Sequence, residues 1–144
     1  DLEKIIKFKL GRKNFVVTFH PTTLENKTSE KHFKELLAAL GSFDDIKFIF
    51  TAPNSDPDNR IIQSMINKYV SSNDNSIAFT SMGNLNYLST LKYVDGVIGN
   101  SSSGLLEELF LSEILNITIP FCVITLSETE LIGLSNAKRI IDLL

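Results

Sequence analysis

The chain carries the stretch V-D-G-V-I-G-N-S-S-S-G-L-L-E at residues 94–107, and this stretch decides its fold. Its apolar pair, Val97 and Ile98, predicts a buried strand. The apolar run breaks at Gly99 into asparagine and serines, and it resumes with leucines and glutamates typical of the first turn of a helix. We therefore predict a strand that passes through a polar turn directly into a helix.

This polar turn has the chemistry of an anion site. The first turn of a helix leaves backbone N–H groups unpaired and carries a partial positive charge. Gly99 and Gly104 let a ligand approach the backbone closely, and the hydroxyls of residues 101–103 add donors for phosphate oxygens. The turn predicts a cradle for the phosphates of a nucleotide. The alternative is that its asparagine and serines only cap the helix, which stabilises it by about 1 kcal/mol and binds nothing.

The composition limits the class of protein. The chain has 144 residues, 43% of them hydrophobic and 22% charged, which suits one domain with a core. A net charge of −3 without a basic stripe argues against nucleic acid as a partner. No apolar run reaches the roughly 18 residues of a membrane helix, so no membrane partner is predicted.

Two further features concern location and length. The single cysteine, Cys122, cannot form an internal disulfide, which favours a cytoplasmic location. The start at Asp1 is neither a signal peptide nor a typical initiator, so we expect a piece of a longer protein.

Strand and helix patterns alternate along the rest of the chain. β-branched and aromatic runs predict strands at residues 15–19, 46–51 and 76–80. Apolar residues at helical spacing predict helices at residues 29–40, 61–70 and 84–93. The inward faces of the last two helices are predicted to include Ile61 and Leu85. Residues 2–10 are ambiguous between a linker and a lead-in strand. The alternation predicts an α/β fold, a Rossmann-like parallel sheet with helices on both faces.

Polar residues follow each predicted strand at its carboxyl end. They are His20, Asn54 with Arg60 just beyond it, Ser81, and the serine turn at residues 100–104. Because ligands bind at the carboxyl ends of parallel strands, these residues should line one cleft. Each also has a purely structural explanation as a loop, turn or solvated residue. Arg60, however, opposes the dipole of its own helix, which hints at an anionic ligand.

Three motifs together resemble one enzyme family. The chain carries F-V-V-T-F-H-P-T-T at 15–23, F-T-A-P-N-S-D-P-D-N-R at 50–60 and Y-L-S-T-L-K-Y-V-D-G-V-I-G-N-S-S-S-G-L-L-E at 87–107. It resembles the UDP-N-acetylglucosamine 2-epimerases, above all the hydrolysing branch that makes N-acetylmannosamine for sialic-acid-type sugars. The resemblance is clearest over residues 14–107. It implies one half of a two-domain, glycosyltransferase-B-like fold, namely the C-terminal domain that grips UDP.

The resemblance also implies roles for individual residues. His20 is implied to be catalytic, close to the sugar and the diphosphate. The implied contacts to UDP are Asn54, Arg60, Ser81, Ser101, Ser102, Gly104 and Glu107. Among them the serine turn holds the diphosphate and Glu107 holds the ribose hydroxyls. Considered alone, Glu107 is equally well explained as an acid that stabilises a helix start.

The implied reaction is elimination of UDP across C1 and C2 of the sugar. Water then adds to the glycal, and N-acetylmannosamine leaves with free UDP. Donors aimed at the departing diphosphate lower the barrier. No cofactor and no metal are implied. The carboxylates that act at C2 belong to the family's first domain, so the implied partner is a missing N-terminal domain and this chain alone is expected to be inactive. Members of the family are often homo-oligomers, but the sequence identifies no interface.

Residues 108–136 depart from the family pattern. The family has arginines that face the diphosphate, where this chain has Glu128 and Glu130. A disturbed reading frame would produce such a segment, and similarity returns at residues 137–142. Two alternatives therefore stay open: the donor-binding domain of a UDP-sugar glycosyltransferase, and a degenerate domain without catalysis.

Overall fold

The structure is a computed structural model that describes residues 2–20, 26–52, 59–100 and 122–125. Its helices are α1 (Leu2–Ile6), α2 (Asn26–Leu40), α3 (Arg60–Ser71) and α4 (Asn84–Leu91). Its strands are β1 (Lys13–Thr18), β2 (Ile46–Thr51), β3 (Ser76–Phe79), β4 (Gly96–Gly99) and β5 (Cys122–Thr125). In the described part of the chain, no helix has both the length and the apolar character needed to cross a membrane.

The described strands form one parallel sheet in the order β3-β2-β1-β4-β5. Val16 in the middle of β1 lies opposite Ile49 of β2 on one side and Val97 of β4 on the other. The chain builds outward from β1 to β3 and then crosses back to place β4 beside β1. This reversal is the topological switch point of Rossmann-like sheets. The predicted α/β fold class is therefore confirmed.

Apolar side chains cover both faces of the sheet. The core under α2 and α3 contains Phe15, Val17, Phe19, Phe33, Leu36, Leu40, Phe48, Phe50, Ile62 and Ile66. The core under α1 and α4 contains Leu2, Ile6, Val16, Ile49, Leu91, Val94 and Val97. Successive residues of a strand point to opposite faces, so β1 contributes to both cores. Helices flank both faces of the sheet, as predicted.

The amino-terminal residues form a helix rather than the predicted linker or lead-in strand. In α1, Leu2 and Ile6 lie four residues apart and therefore on the same side of the helix. Both are buried against the sheet, at 6% and 3% exposure. Tertiary packing thus decides the secondary structure of a segment whose own sequence pattern is ambiguous.

Two predicted core residues are exposed. Ile61 in α3 is 47% exposed, and Leu85 in α4 is 79% exposed. Leu85, Leu88 and Leu91 follow one another at intervals of three residues. At 3.6 residues per turn, Leu85 nevertheless lies about 120° around the helix from the buried Leu91. Ile61 is five residues from the buried Ile66 and lies about 140° from it around α3. The prediction for Leu85 was wrong because a repeat of three residues drifts off the buried stripe within two turns. The prediction for Ile61 was wrong because Ile61 lies well off the stripe that Ile62 and Ile66 bury.

The strand β5 is missing from the sequence predictions. It lies inside the divergent segment 108–136, and its Val123 pairs opposite Val97 of β4. The residues C-V-I-T at 122–125 are mostly β-branched, which is a strand signal. A segment that departs from the family motifs therefore still supplies a strand to the sheet.

The amino ends of β1 and β4 are joined by backbone and side-chain hydrogen bonds. The Asn14 N–H donates to Oδ2 of Asp95 at 2.7 Å, and the Asp95 N–H donates to the Asn14 carbonyl at 2.7 Å. Asn14 is only 5% exposed. A buried N–H needs a partner, so the Asp95 carboxylate satisfies a group that water cannot reach easily.

Replacing Asp95 by alanine should lower the free energy of unfolding by about 1–2 kcal/mol, because it leaves the buried Asn14 N–H without its acceptor. The matched control is Asp45→Ala. Asp45 precedes β2 as Asp95 precedes β4, and β2 is the other neighbour of β1. We expect the control to change stability by less than about 0.5 kcal/mol. Urea unfolding of both variants gives the comparison, and equal losses would contradict the role assigned to Asp95.

The Tyr69 hydroxyl is buried and has no hydrogen-bond partner among the described residues. Its ring packs edge-on against Phe50, with centroids 5.6 Å apart. The nearby Ser76 hydroxyl donates instead to Oδ1 of Asn75 at 3.0 Å. Burial raises the pKa of the Tyr69 phenol above its ordinary 10.0, and the Ser76 hydroxyl opposes this rise only in part.

Replacing Tyr69 by phenylalanine should leave stability unchanged or raise it by up to about 1 kcal/mol at neutral pH, since it removes an unsatisfied buried hydroxyl. The raised pKa adds a pH signature. The folded state keeps the phenol neutral, whereas the unfolded state ionises it from about pH 10, so the native protein loses stability as pH rises above about 10. Tyr69→Phe should escape this loss. Tyr93→Phe, at a side chain 57% exposed, is the control, and denaturant unfolding at pH 8 and above pH 10 measures both.

Candidate ligand-binding site

The five strands end level with one another. The last residues of the strands face each other across the sheet in the row Phe79, Thr51, Thr18, Gly99 and Thr125. We call this side of the sheet the carboxyl edge. Because the strands are parallel and end together, the residue that follows each strand emerges at this same edge.

Three predicted site residues lie at the carboxyl edge. His20 follows β1 by two residues, Ser81 follows β3 by two residues, and Arg60 opens the helix that returns from β2. All three are exposed. With strands about 4.8 Å apart, the edge from β3 to β4 spans about 14 Å. The structure thus brings these residues to one side of the molecule, and their catalytic and binding roles stay predictions.

The other predicted site residues lie outside the described residues. They are Asn54, Ser101, Ser102, Gly104 and Glu107, and the same holds for Glu128 and Glu130 of the divergent segment. The described strand β4 ends at Gly99, and Asn100, the first residue of the serine turn, lies at the carboxyl edge.

Two helix starts give the carboxyl edge a positive character. Neither α3 nor α4 has an acidic residue in its first turn or a side-chain hydrogen bond from its capping residue. Their first backbone N–H groups therefore point toward this edge with the positive end of each helix dipole. Arg60 adds a full positive charge at the start of α3. This combination favours an anionic ligand.

Gly83 shapes the backbone between β3 and α4. It has φ of +69° and ψ of 149°, a conformation that side chains strongly disfavour. A Cβ atom at this position would meet nothing within 4 Å, so the backbone angle and not crowding requires glycine. Glycine adopts these angles without strain, so the chain can turn at Gly83 directly before α4.

A pair of hydroxyls lies where β1 and β2 end. Thr18 Oγ1 and Thr51 Oγ1 are 2.8 Å apart, and both residues are half-buried. They sit two positions beyond Val16 and Ile49, so they belong to the face covered by α1 and α4. Next to Thr18 on that face is Gly99, which has no side chain. The residues at the carboxyl edge on this face are therefore small, and two of them are polar.

Asn100 is the functional candidate that sequence reasoning missed. Its side-chain Oδ1 accepts a hydrogen bond from the His20 N–H at 2.8 Å, and its Nδ2 donates to the His20 carbonyl at 2.6 Å. Sequence reasoning placed Asn100 in the serine turn, but it gave Asn100 no individual role and no contact with His20. The available signal was its position directly after a buried strand, since an amide there can both donate and accept.

A cavity of about 340 Å³ lies elsewhere, at the amino ends of β2 and β3. Its lining includes Lys47, Asp74 and Asn75, and none of the predicted site residues. The described residues contain no cluster of three His, Cys, Asp or Glu side chains placed to hold a metal ion. The carboxyl edge therefore remains the place where topology and polar groups coincide.

Comparison with known proteins gives a family match over most of the chain. The model of the UDP-N-acetylglucosamine 2-epimerase family matches residues 1–125, which includes β5. A curated relative from Campylobacter jejuni, GDP/UDP-N,N'-diacetylbacillosamine 2-epimerase (hydrolyzing), is 36% identical over 111 residues. Polysialic acid biosynthesis protein P7 from Escherichia coli is 39% identical over 99 residues. These matches cover 76% and 68% of this chain, but only 29% and 25% of the relatives' lengths.

Solved structures give the same fold. A structure of S. aureus MnaA with UDP has a TM-score of 0.60 at 15% identity, and it is matched over 99% of this chain and 39% of its own. A Neisseria meningitidis UDP-GlcNAc 2-epimerase bound to UDP-GlcNAc has a TM-score of 0.61 at 13% identity, over 98% of this chain and 38% of its own. At these identities the likeness concerns the fold alone. The chain spans well under half the length of each of these four proteins.

Proposed function

Because this chain belongs to the UDP-N-acetylglucosamine 2-epimerase family, we propose that it is the UDP-binding half of a hydrolysing 2-epimerase. The complete enzyme converts UDP-N-acetylglucosamine to N-acetylmannosamine and UDP. The observation that carries this proposal is the family match through all five strands together with the polar, positive carboxyl edge that these strands create.

Support for UDP as the ligand comes from charge and from relatives. Arg60 and the starts of α3 and α4 favour an anion at the carboxyl edge, as a diphosphate is. Two structures with the same fold are described as complexes with UDP and with UDP-GlcNAc. In our proposal Ser101, Ser102 and Gly104 hold the diphosphate, and Glu107 binds the ribose hydroxyls. Asn54, Arg60 and Ser81 line the nucleotide end of the site.

The proposed chemistry is an elimination followed by hydration. A base removes the proton from C2, the electron pair forms the C1–C2 double bond, and the C1–O bond breaks to release UDP. Water then adds across the double bond, with its hydroxyl at C1 and a proton on the opposite face of C2. Donors at the carboxyl edge stabilise the charge that builds on the departing diphosphate, and His20 acts beside it.

Support for a missing N-terminal domain comes from the matched lengths and from the surface. The chain covers 25–29% of its curated relatives. The first turns of α3 and α4 expose Ile61 and Leu85 at the carboxyl edge, where a facing domain would cover them. The base at C2 is proposed to come from that domain, so this chain alone turns over no substrate. A reducing, cytoplasmic location accords with the single cysteine.

A second substrate is favoured by one observation. The C. jejuni relative is named for GDP/UDP-N,N'-diacetylbacillosamine, which also undergoes 2-epimerisation with hydrolysis. UDP-N,N'-diacetylbacillosamine is therefore the alternative substrate for the complete enzyme, and it uses the same diphosphate site.

Calorimetric titration of UDP into this chain tests the nucleotide site. We expect weak but saturable binding at millimolar UDP. Arg60→Ala should weaken it about tenfold, since a charge-assisted contact contributes roughly 1.5–3 kcal/mol. Lys68→Ala is the matched control, because Lys68 is an exposed cation at the far end of the same helix α3. A folded chain that gives no heat at millimolar UDP would leave only a degenerate, non-binding domain.

The activity test uses this chain joined to its N-terminal domain. Incubation with UDP-N-acetylglucosamine and no acceptor should release free N-acetylmannosamine and UDP, and His20→Ala should lower kcat at least a hundredfold, the usual contribution of a proton-transferring group. A parallel assay with UDP-N,N'-diacetylbacillosamine compares kcat/KM for the two sugars. Transfer that requires an acceptor sugar would instead identify a glycosyltransferase.

A further inference from the structure

Resting on the proposed function, we infer that Asn100 is a positioning residue that fixes His20 and couples it to the diphosphate turn. One amide side chain engages both backbone polar groups of a single residue. It accepts from the His20 N–H at 2.8 Å and donates to the His20 carbonyl at 2.6 Å. We call this pair of hydrogen bonds the Asn100 clamp.

The clamp takes the place of strand pairing at the point where the ladder between β1 and β4 ends. The ladder between β1 and β4 ends at Thr18 opposite Gly99. Beyond this pair the two strands lead into different loops. The Asn100 amide reproduces the donor and acceptor that another strand would offer to His20. It thereby extends the order of the sheet by two residues on the β1 side, up to the exposed imidazole.

A second attachment lies on the other side of His20. Phe19 is 3% exposed, and its ring packs on Phe33 of α2 with centroids 4.8 Å apart. The backbone of His20 is therefore held between a buried ring before it and the clamp on itself. Because backbone angles limit the available rotamers, fixing φ and ψ of His20 restricts where its imidazole can point.

The clamp also joins two parts of the proposed site. Asn100 is the residue that opens the serine turn, which we propose binds the diphosphate. The clamp therefore links the described start of that turn to the backbone of His20. Since His20 is proposed to act beside the diphosphate, an imidazole that the clamp holds in place strengthens UDP binding, and one that is free to move does not.

A purely structural role of Asn100 would have different consequences. If Asn100 only stabilised the loop, its loss would lower stability without a specific change at His20. If it acted on the diphosphate turn alone, its loss would weaken UDP binding whether or not the imidazole is present. Positioning through His20 requires that the effect on UDP depend on the imidazole.

The test uses the 144-residue chain, whose two histidines serve as probe and internal reference. His20 is exposed at the carboxyl edge, whereas His32 is 7% exposed within α2. Nuclear magnetic resonance of the two imidazoles and of the backbone amides is recorded without and with UDP, for the unmodified chain, Asn100→Ala and the control Asn67→Ala. Asn67 is an exposed asparagine on α3 whose amide accepts one hydrogen bond from Gln63.

Without ligand, Asn100→Ala should lower the backbone order parameter of His20 from the rigid range toward about 0.6, with His32 unchanged. With UDP, it should raise the dissociation constant about tenfold and abolish the UDP-induced shift of the His20 imidazole. In a His20→Ala background the same substitution should change the dissociation constant less than about threefold, which a double-mutant cycle measures. Asn67→Ala should resemble the unmodified chain throughout.

An unaltered His20 order parameter in Asn100→Ala would overturn this inference alone, even if UDP binds. A tenfold rise in the UDP dissociation constant on Asn100→Ala that persists in the His20→Ala background would also overturn it. Failure of the unmodified chain to bind UDP would overturn the proposed function, and with it the role of the clamp in the reaction.

Discussion

The pairing of β1 with β4 is the constraint on which the rest of the molecule depends. Strand β1 already pairs with β2, so the return of β4 to its other side completes a strand that is hydrogen-bonded along both edges and buried on both faces. This return creates the switch point, the place where ligands bind in open α/β sheets. Polar side chains hold both ends of the pair. Asp95 bonds to Asn14 at the amino end, and Asn100 bonds to His20 at the carboxyl end.

The positions of these polar residues follow from burial. Between its ends the β1–β4 pair is apolar, with Val16, Val17, Val97 and Ile98 all at most 2% exposed. Polar groups are costly in such a core and are placed where a strand ends. The candidate site at the carboxyl edge therefore stands on a deeply buried part of the sheet, while His20 and Ser81 lie in the segments that follow its strands. Binding residues on loops supported by a fixed sheet are the common arrangement in α/β enzymes.

Among the described residues, the carboxyl edge supplies positive charge and hydrogen-bonding groups. Its described residues offer a cation in Arg60, an imidazole in His20 and two helix starts, all suited to a leaving diphosphate. The chain covers only a part of its curated relatives. In the proposed division of the reaction, this half would hold the nucleotide and another domain would act on the sugar. Residues 108–125 depart from the family motifs, yet they contain β5 and fall within the family match.

The sequence by itself determined the order and type of most elements, because strong periodic patterns decide local structure. Residues 46–51 form the predicted strand, and His20, Arg60 and Ser81 lie at the predicted edge. Only the tertiary structure decided the rest. It turned residues 2–6 into a helix, left Ile61 and Leu85 exposed, and directed the Asn100 amide to a residue 80 positions away. The physical reason is that these outcomes depend on which surfaces meet after the strands have paired, and spacing along a single element does not encode that information.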